Sequence, residues 1–128
     1  MRLASLVRSL ARVSIRVAVV ALTLGTLAGC GTDDVGPRSH MVGGRCTTNT
    51  DCVDRCVTGF EFPGGYCTVG CASHADCPGG SVCVASGGGV CLAACHLPAD
   101  CKAFGVDYAC ALRTSEAGGP GVLACAAN

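Results

Sequence analysis

CASHADCPGGSVCVASGGGVC, residues 71–91, decides the fold. Four cysteines fall within 21 residues, and the pattern recurs on both sides. Upstream, Cys46, Cys52, Cys56 and Cys67 are separated by five, three and ten residues. In the quoted stretch, Cys71, Cys77, Cys83 and Cys91 are separated by five, five and seven. Downstream, Cys95, Cys101, Cys110 and Cys125 are separated by five, eight and fourteen. The units 46–67, 71–91 and 95–125 are therefore internal repeats with three-residue junctions. Their openings, CTTNTDC, CASHADC and CHLPADC, are the most regular part, and Asp51, Asp76 or Asp100 precedes each second cysteine. Length varies only later in the unit, where a loop can grow without moving the staples.

Each second half reads as a hairpin. SVCV and VCL flank Gly87-Gly88-Gly89, YACAL and VLACA flank SEAGGPG, and RCV and GYCTV flank a loop holding Phe60, Phe62 and Pro63. The spacing predicts short two-stranded ribbons and no helix longer than two turns over 46–128. Isolated hairpins are marginal in water, so staples are required. Trp is absent, and Phe60, Phe62, Phe104, Tyr66 and Tyr108 are the only aromatics. A chain this poor in large apolar groups relies on cross-links in place of an extensive core. The fold class expected is small and disulfide-rich: three tandem four-cysteine units of β-hairpins and turns, after a helical signal peptide and a flexible tether.

Four cysteines allow three pairings per unit, and sequence alone does not choose. Adjacent pairing leaves the hairpin untied to the opening turn, whereas crossed pairing fixes both arms to it. The crossed set is Cys46–Cys56, Cys52–Cys67, Cys71–Cys83, Cys77–Cys91, Cys95–Cys110 and Cys101–Cys125. Pairing across the junctions, where Cys67 meets Cys71 and Cys91 meets Cys95, or a Cys77–Cys95 bridge, remains the alternative.

The pattern C-x4-D-C-P-G-G-x2-C, clearest at Cys71 to Cys83, resembles cysteine-rich modules of the Dickkopf N-terminal type. It also resembles the centre of whey-acidic-protein modules, but the adjacent Cys-Cys pair diagnostic of those is missing. Tandem units of this kind are similar to those of secreted lipoproteins of soil bacteria. The resemblance spans 46–125 and implies fold class rather than activity.

The N-terminal segment has a different composition. Arg2, Arg8, Arg12 and Arg16 precede the apolar run Val17–Thr26, and residues 1–29 hold no acid. The run is about half of the ~20 residues a membrane-spanning helix needs, which suits a cleaved signal peptide. Leu27-Ala28-Gly29-Cys30 closely resembles the lipobox of bacterial lipoproteins. That resemblance implies cleavage before Cys30 and acylation of its thiol and new amino group, so that the membrane is reached through a lipid anchor. Gly31, where an Asp commonly implies inner-membrane retention, favours the outer membrane. Residues 30–45 then read as the lipidated cysteine and a flexible Gly- and Pro-containing tether. An exported chain meets the oxidising compartment that its twelve remaining cysteines need.

From Cys30 onward five basic residues stand against nine acidic ones, a net charge of −4. Nucleic-acid binding needs clustered Lys and Arg and is excluded. Hydrolase motifs are missing, and an even cysteine count in bridges leaves no thiol nucleophile, so no catalytic residue and no cofactor is expected. His40 falls in the tether, and His74 and His96 read as solvated turn residues. The C-x3-C pairs Cys52/Cys56, Cys67/Cys71 and Cys91/Cys95 have zinc-compatible spacing, but oxidised cysteines do not ligate metal. One Asp per unit is too few for calcium; the repeated Asp reads as an Asx-type turn. Phe60 and Phe62 form either a contact surface or local packing against Tyr66. The functional reading is a non-enzymatic, membrane-tethered cysteine-rich lipoprotein of the cell envelope, an interaction or envelope-structural module whose protein partner, if it has one, is unidentified. Its rival is a protease inhibitor presenting the loop 111–124, with Arg113 as the specificity side chain and this loop as the most mobile part; metal sequestration is a third class. Replacing Cys30 with Ser is expected to leave unlipidated precursor, read as the loss of the acyl mass and of membrane partitioning. Wild-type processing of that variant would overturn the lipobox reading.

Overall fold

The third and fourth cysteines of every unit face each other across a hairpin. In the computed structural model, which describes residues 33–128, β1 (Arg55–Gly59) pairs with β2 (Phe62–Thr68), β3 (Ser81–Val84) with β4 (Val90–Ala93), and β5 (Tyr108–Arg113) with β6 (Val122–Ala127), all antiparallel. Cys56 stands opposite Cys67, Cys83 opposite Cys91 and Cys110 opposite Cys125. Directly opposed residues project to the same side of a ribbon. Both sulfurs of each hairpin therefore reach one shared neighbour, the opening turn, which supplies the other two cysteines. The six bridges are Cys46–Cys56, Cys52–Cys67, Cys71–Cys83, Cys77–Cys91, Cys95–Cys110 and Cys101–Cys125. Within every unit they join first to third and second to fourth.

The opening turns are short 3₁₀ segments, Asn49–Asp51, His74–Asp76 and Pro98–Phe104. The last has seven residues, a little over two turns at about three residues per turn, and so slightly exceeds the bound read from sequence. Gly87, Gly88 and Gly89 all take positive φ in the β3–β4 loop, where a Cβ would be strained. The first hairpin is tighter than expected: Phe62 and Pro63 belong to β2 and not to the connecting loop, which is reduced to Phe60 and Glu61.

The units share one core. Short antiparallel bridges link Gly70 to Val90, Val84 to Ser115 and Ala94 to Ala124, so each hairpin touches another. Tyr66 of β2 is 1 % exposed and lies at the centre. Its ring centroid is 5.8 Å from Phe62, 6.0 Å from Phe104 and 5.9 Å from Tyr108. Its hydroxyl accepts the Ala93 N–H of β4 at 3.0 Å, and burial pushes the phenol well above its usual 10.0. Val84, Val90 and Leu92 of the second hairpin belong to the same cluster, as does Ala126 of the third. Four of the five aromatics, drawn from the first and third units, thus pack with the aliphatics of the second, and Asp33–Asn128 forms one compact unit.

The flexible tether expected over 31–45 is corrected for its larger part. Val42 is fully buried, and the Ser39 hydroxyl donates to the Asp34 carbonyl at 2.7 Å. Gly43 N–H donates to the Cys67 carbonyl at 2.9 Å, and Cys67 N–H to the Gly44 carbonyl at 2.7 Å, so this segment lies along β2. The glycines that suggested a loop are there for close approach: a Cβ on Gly44 would collide with the Ser39 carbonyl, and one on Gly43 with the Phe104 ring. Tyr66→Phe is expected to cost about 1–3 kcal/mol, because the buried Ala93 N–H loses its acceptor, whereas Phe60→Ala on the exposed tip stays within about ±0.5 kcal/mol. Denaturant unfolding of the oxidised protein distinguishes the two; equal losses would place the core elsewhere.

Candidate functional site

The repeated aspartates close the opening turns. One carboxylate oxygen of Asp51 accepts the Thr47 and Thr48 N–H groups at 2.8 and 2.9 Å. Asp76 does the same for Ala72 and Ser73 at 2.9 and 2.8 Å, and Asp100 for His96 and Leu97 at 2.8 and 2.9 Å. Hydrogen bonding to the charged form favours it, so these backbone donors hold all three carboxyls below their ordinary 3.8. The role is structural, and the three carboxylates sit in separate turns.

A second contact, shared by the first two units, lies three residues after the first cysteine. Asn49 Oδ1 accepts the Cys56 N–H at 2.9 Å, and His74 Nδ1 accepts the Cys83 N–H at 3.0 Å. In both units the opening turn thereby holds the backbone of the third cysteine as well as its sulfur. His74 is exposed in its turn, as read from the sequence, and in addition its ring holds the backbone of the third cysteine. His40 donates through Nδ1 to the Asp51 carbonyl at 2.8 Å. In unit three the equivalent position is Pro98, which offers no side-chain acceptor. Aligning the openings as NTD, HAD and PAD was the available signal, although a shared acceptor is hard to see when one member is His.

The crossed bridges bring three sulfurs of each unit, for instance Cys71, Cys77 and Cys91, within 4.8 Å of one another. Metal ligation requires thiolates, and each of these sulfurs is bonded to another. The clusters are a consequence of the stapling.

The three residues singled out as binding candidates have different fates. Phe62 is 5 % exposed and packs against Tyr66, so of the two readings it takes packing. Phe60 is fully exposed at the tip of the first hairpin, and Val106 is equally exposed. They border one shallow depression together with Pro63 and Asp107. The surrounding backbone is fixed: Tyr108 hydroxyl donates to the Pro63 carbonyl at 3.4 Å, and Asn128 N–H to the Asp107 carbonyl at 3.2 Å. Arg113 ends β5 opposite Val122 and is only partly exposed; its Nη2 donates to the Ala127 carbonyl at 2.7 Å. The loop expected over 111–124 is therefore shortened to Thr114–Gly121, with Arg113 at its base and turned inward. The first half of that loop is itself tied down: Ser115 is buried, and the Thr114 carbonyl accepts the Ala85 N–H at 2.9 Å.

Val106 was not singled out from the sequence, since one apolar residue in GVDY carries no pattern. A second feature it could not show is a cavity of about 180 Å³ where the hairpins meet, lined in part by Glu61, Phe62, Ser86, Leu92 and Arg113.

Because the three aspartates titrate lower in the folded state, their contribution to stability is full above the ordinary carboxylate range and is lost as pH falls through their lowered values. The Tm of the oxidised protein is expected to fall on acidification below about pH 4, and the triple variant D51N/D76N/D100N to have a lower Tm at pH 7 and a flatter acid limb. An unchanged acid limb in that variant would remove the aspartates from the account. Compared with known proteins, the chain matches no family model, no curated protein and no solved structure.

Proposed function

We propose that the protein is exported, acylated at Cys30 and held in the cell envelope, at the outer membrane, as a non-enzymatic module that contacts another protein. Cys30 and the signal peptide 1–29 lie outside the described residues, and this part of the reading rests on the LAGC motif. No helix among the described residues is long and apolar enough to cross a membrane, and the lipid chains supply attachment in the proposal. Stable anchoring takes more than one acyl chain, which a fully processed lipoprotein cysteine carries.

The observation that carries the binding role is the pair of fully exposed apolar side chains, Phe60 and Val106, on a tip whose backbone is fixed. Aromatic side chains in such positions are the usual anchors of protein interfaces. A stapled scaffold orders few further degrees of freedom on binding, which lowers the entropic cost of association. The absence of a catalytic role is supported by chemistry: the twelve cysteines of the described residues are all bridged, and the ring nitrogens of His40 and His74 that form bonds are engaged with backbone. The inhibitor alternative depended on an outward Arg113 and loses that support.

A photo-activatable residue placed at Phe60 in the native cell is expected to give a discrete cross-linked protein, and one placed at the exposed Glu116 none. Equal labelling at the two positions, or none at either, would overturn the interaction role without touching the lipid anchor.

A further inference from the structure

A strand in a two-stranded ribbon has one edge paired and one edge bare, and a bare edge is a template for a further strand. Here the chain covers most of the second edges itself. Gly43 N–H donates to the Cys67 carbonyl beside β2, Cys91 N–H to the Val69 carbonyl beside β4, and Cys95 N–H to the Leu123 carbonyl beside β6. The loop of the third unit covers β3: Ala85 N–H donates to the Thr114 carbonyl at 2.9 Å and Glu116 N–H to the Cys83 carbonyl at 3.4 Å, with Ser115 opposite Val84. That leaves β1 and β5. The pairing of β1 is broken by a register shift between Val57 and Gly59, and such irregularity blunts an edge. β5 keeps a regular register with β6 from Tyr108 to Arg113.

The groups that β5 presents follow from that register. Asn128 N–H donates to the Asp107 carbonyl at 3.2 Å, so by alternation Ala109, Ala111 and Arg113 direct their backbone groups to β6. Tyr108, Cys110 and Leu112 direct theirs away from it. Tyr108 N–H is taken by the Gly105 carbonyl. The N–H and C=O groups of Cys110 and Leu112 have no partner among the described residues. In the first two units Asn49 or His74 accepts the N–H of the third cysteine; Pro98 at that position leaves Cys110 N–H open. No charge defends the edge either. Only Ala109, Cys110, Ala111 and Leu112 stand between Tyr108 and Arg113, and Leu112 is 71 % exposed.

We infer that β5 pairs antiparallel with β5 of a second copy of this chain, about a two-fold axis at Ala111. Cys110 then stands opposite Leu112 of the second copy, and every free N–H of the pair meets a free carbonyl. The interface continues one that the fold already contains. Counted from the third cysteine of the unit, the Cys110 carbonyl and Leu112 N–H stand where the Cys83 carbonyl and Ala85 N–H receive residues 114–116. Glu116 there takes the place beside Cys83 that Leu112 of the second copy takes beside Cys110, so an opening turn and an added strand are compatible. Leu112 faces Leu123 across the hairpin, and the added strand extends this row and covers Leu112. Ala111 puts only a methyl group at the axis. A two-fold contact is closed, so assembly stops at the pair. The net charge of −4 on each copy opposes association, but exposed charges are screened beyond about 8 Å at physiological ionic strength. This edge is separate from the Phe60–Val106 tip and does not depend on lipidation.

Sedimentation equilibrium of the exported, oxidised chain in density-matched detergent tests this, with amide hydrogen exchange read over the same concentrations. A monomer–dimer equilibrium is expected with Kd of about 1 mM or tighter. Protection of the Cys110 and Leu112 amides is expected to rise with protein concentration, while the Ala109 and Ala111 amides, bonded to β6, stay protected throughout. Leu112→Pro removes a donor that β6 does not use, so the hairpin persists, Ala109 stays protected and the Kd weakens at least about tenfold. Leu112→Thr keeps the donor and weakens it less. Phe60→Ala leaves the Kd unchanged, which separates this edge from the tip. The inference is overturned if the wild-type chain stays monomeric up to about 1 mM, if it dimerises with the Cys110 and Leu112 amides still unprotected, or if Phe60→Ala abolishes the dimer. A folded Leu112→Pro variant that dimerises like wild type overturns it too, and should that variant not fold, the wild-type exchange pattern decides.

Discussion

Everything in this fold depends on two disulfides leaving the same face of each hairpin and ending in the same opening turn. Opposed cysteines, such as Cys83 and Cys91, are close enough to be neighbours yet are bonded elsewhere, to Cys71 and Cys77. A direct bridge between them would staple a ribbon that is already paired. The crossed arrangement instead adds a second layer to the ribbon, and that layer shields one face of it. The bridges close loops of 10 to 24 residues, and a closed loop of about 15 residues is worth about 3 kcal/mol in the chain-entropy model. The aspartate carboxylate and the acceptor at Asn49 or His74 shape the turn that presents the first two cysteines to the hairpin. Hydrogen bonding and cross-linking thus act on the same few residues.

The staples alone would give three beads. What joins them is the position of Tyr66. Its ring lies among Phe62, Phe104 and Tyr108, while its hydroxyl satisfies a backbone donor in the second hairpin. A buried phenol of this kind supplies a large apolar area and one directional contact at once. Because the junctions between units are only three residues long, each hairpin starts close to its predecessor, and bridges such as Gly70 to Val90 form with little added loop entropy. The cavity beside Arg113 belongs to the same junction.

The repeat, the hairpins with their Gly turns, and the function of the aspartates were legible because each is a local pattern repeated three times. The shared core was not. Its aromatics occur singly or in a short loop-like run, and no period links Phe62, Tyr66, Phe104 and Tyr108. Phe62 and Pro63 looked like loop because proline is unusual in strands, but on a two-stranded ribbon every strand is an edge and proline is tolerated there. The bond from Cys83 N–H to the exposed His74 was not legible because histidine gives no sequence sign of which nitrogen accepts. Arg113 looked presentable because a long glycine-bearing gap follows it, whereas the strand pairing runs on to Val122 and carries the arginine with it.

Residues 34–44 were the most misleading stretch, because their glycines and polar residues carry no period yet pack against the fold. A free tether over 31–45 would reach about 50 Å. Instead, Val42 N–H donates to the Asp34 carbonyl at 3.1 Å, and the chain from Asp34 onward is folded against β2. Gly43 and Gly44 are bonded at Cys67, near the end of β2 that carries Thr68. Phe60 is at the opposite end, beyond Phe62, roughly 20 Å along the strand. Entry of the chain at one end of the first hairpin and exposure of the apolar tip at the other follow from the antiparallel run of this segment against β2.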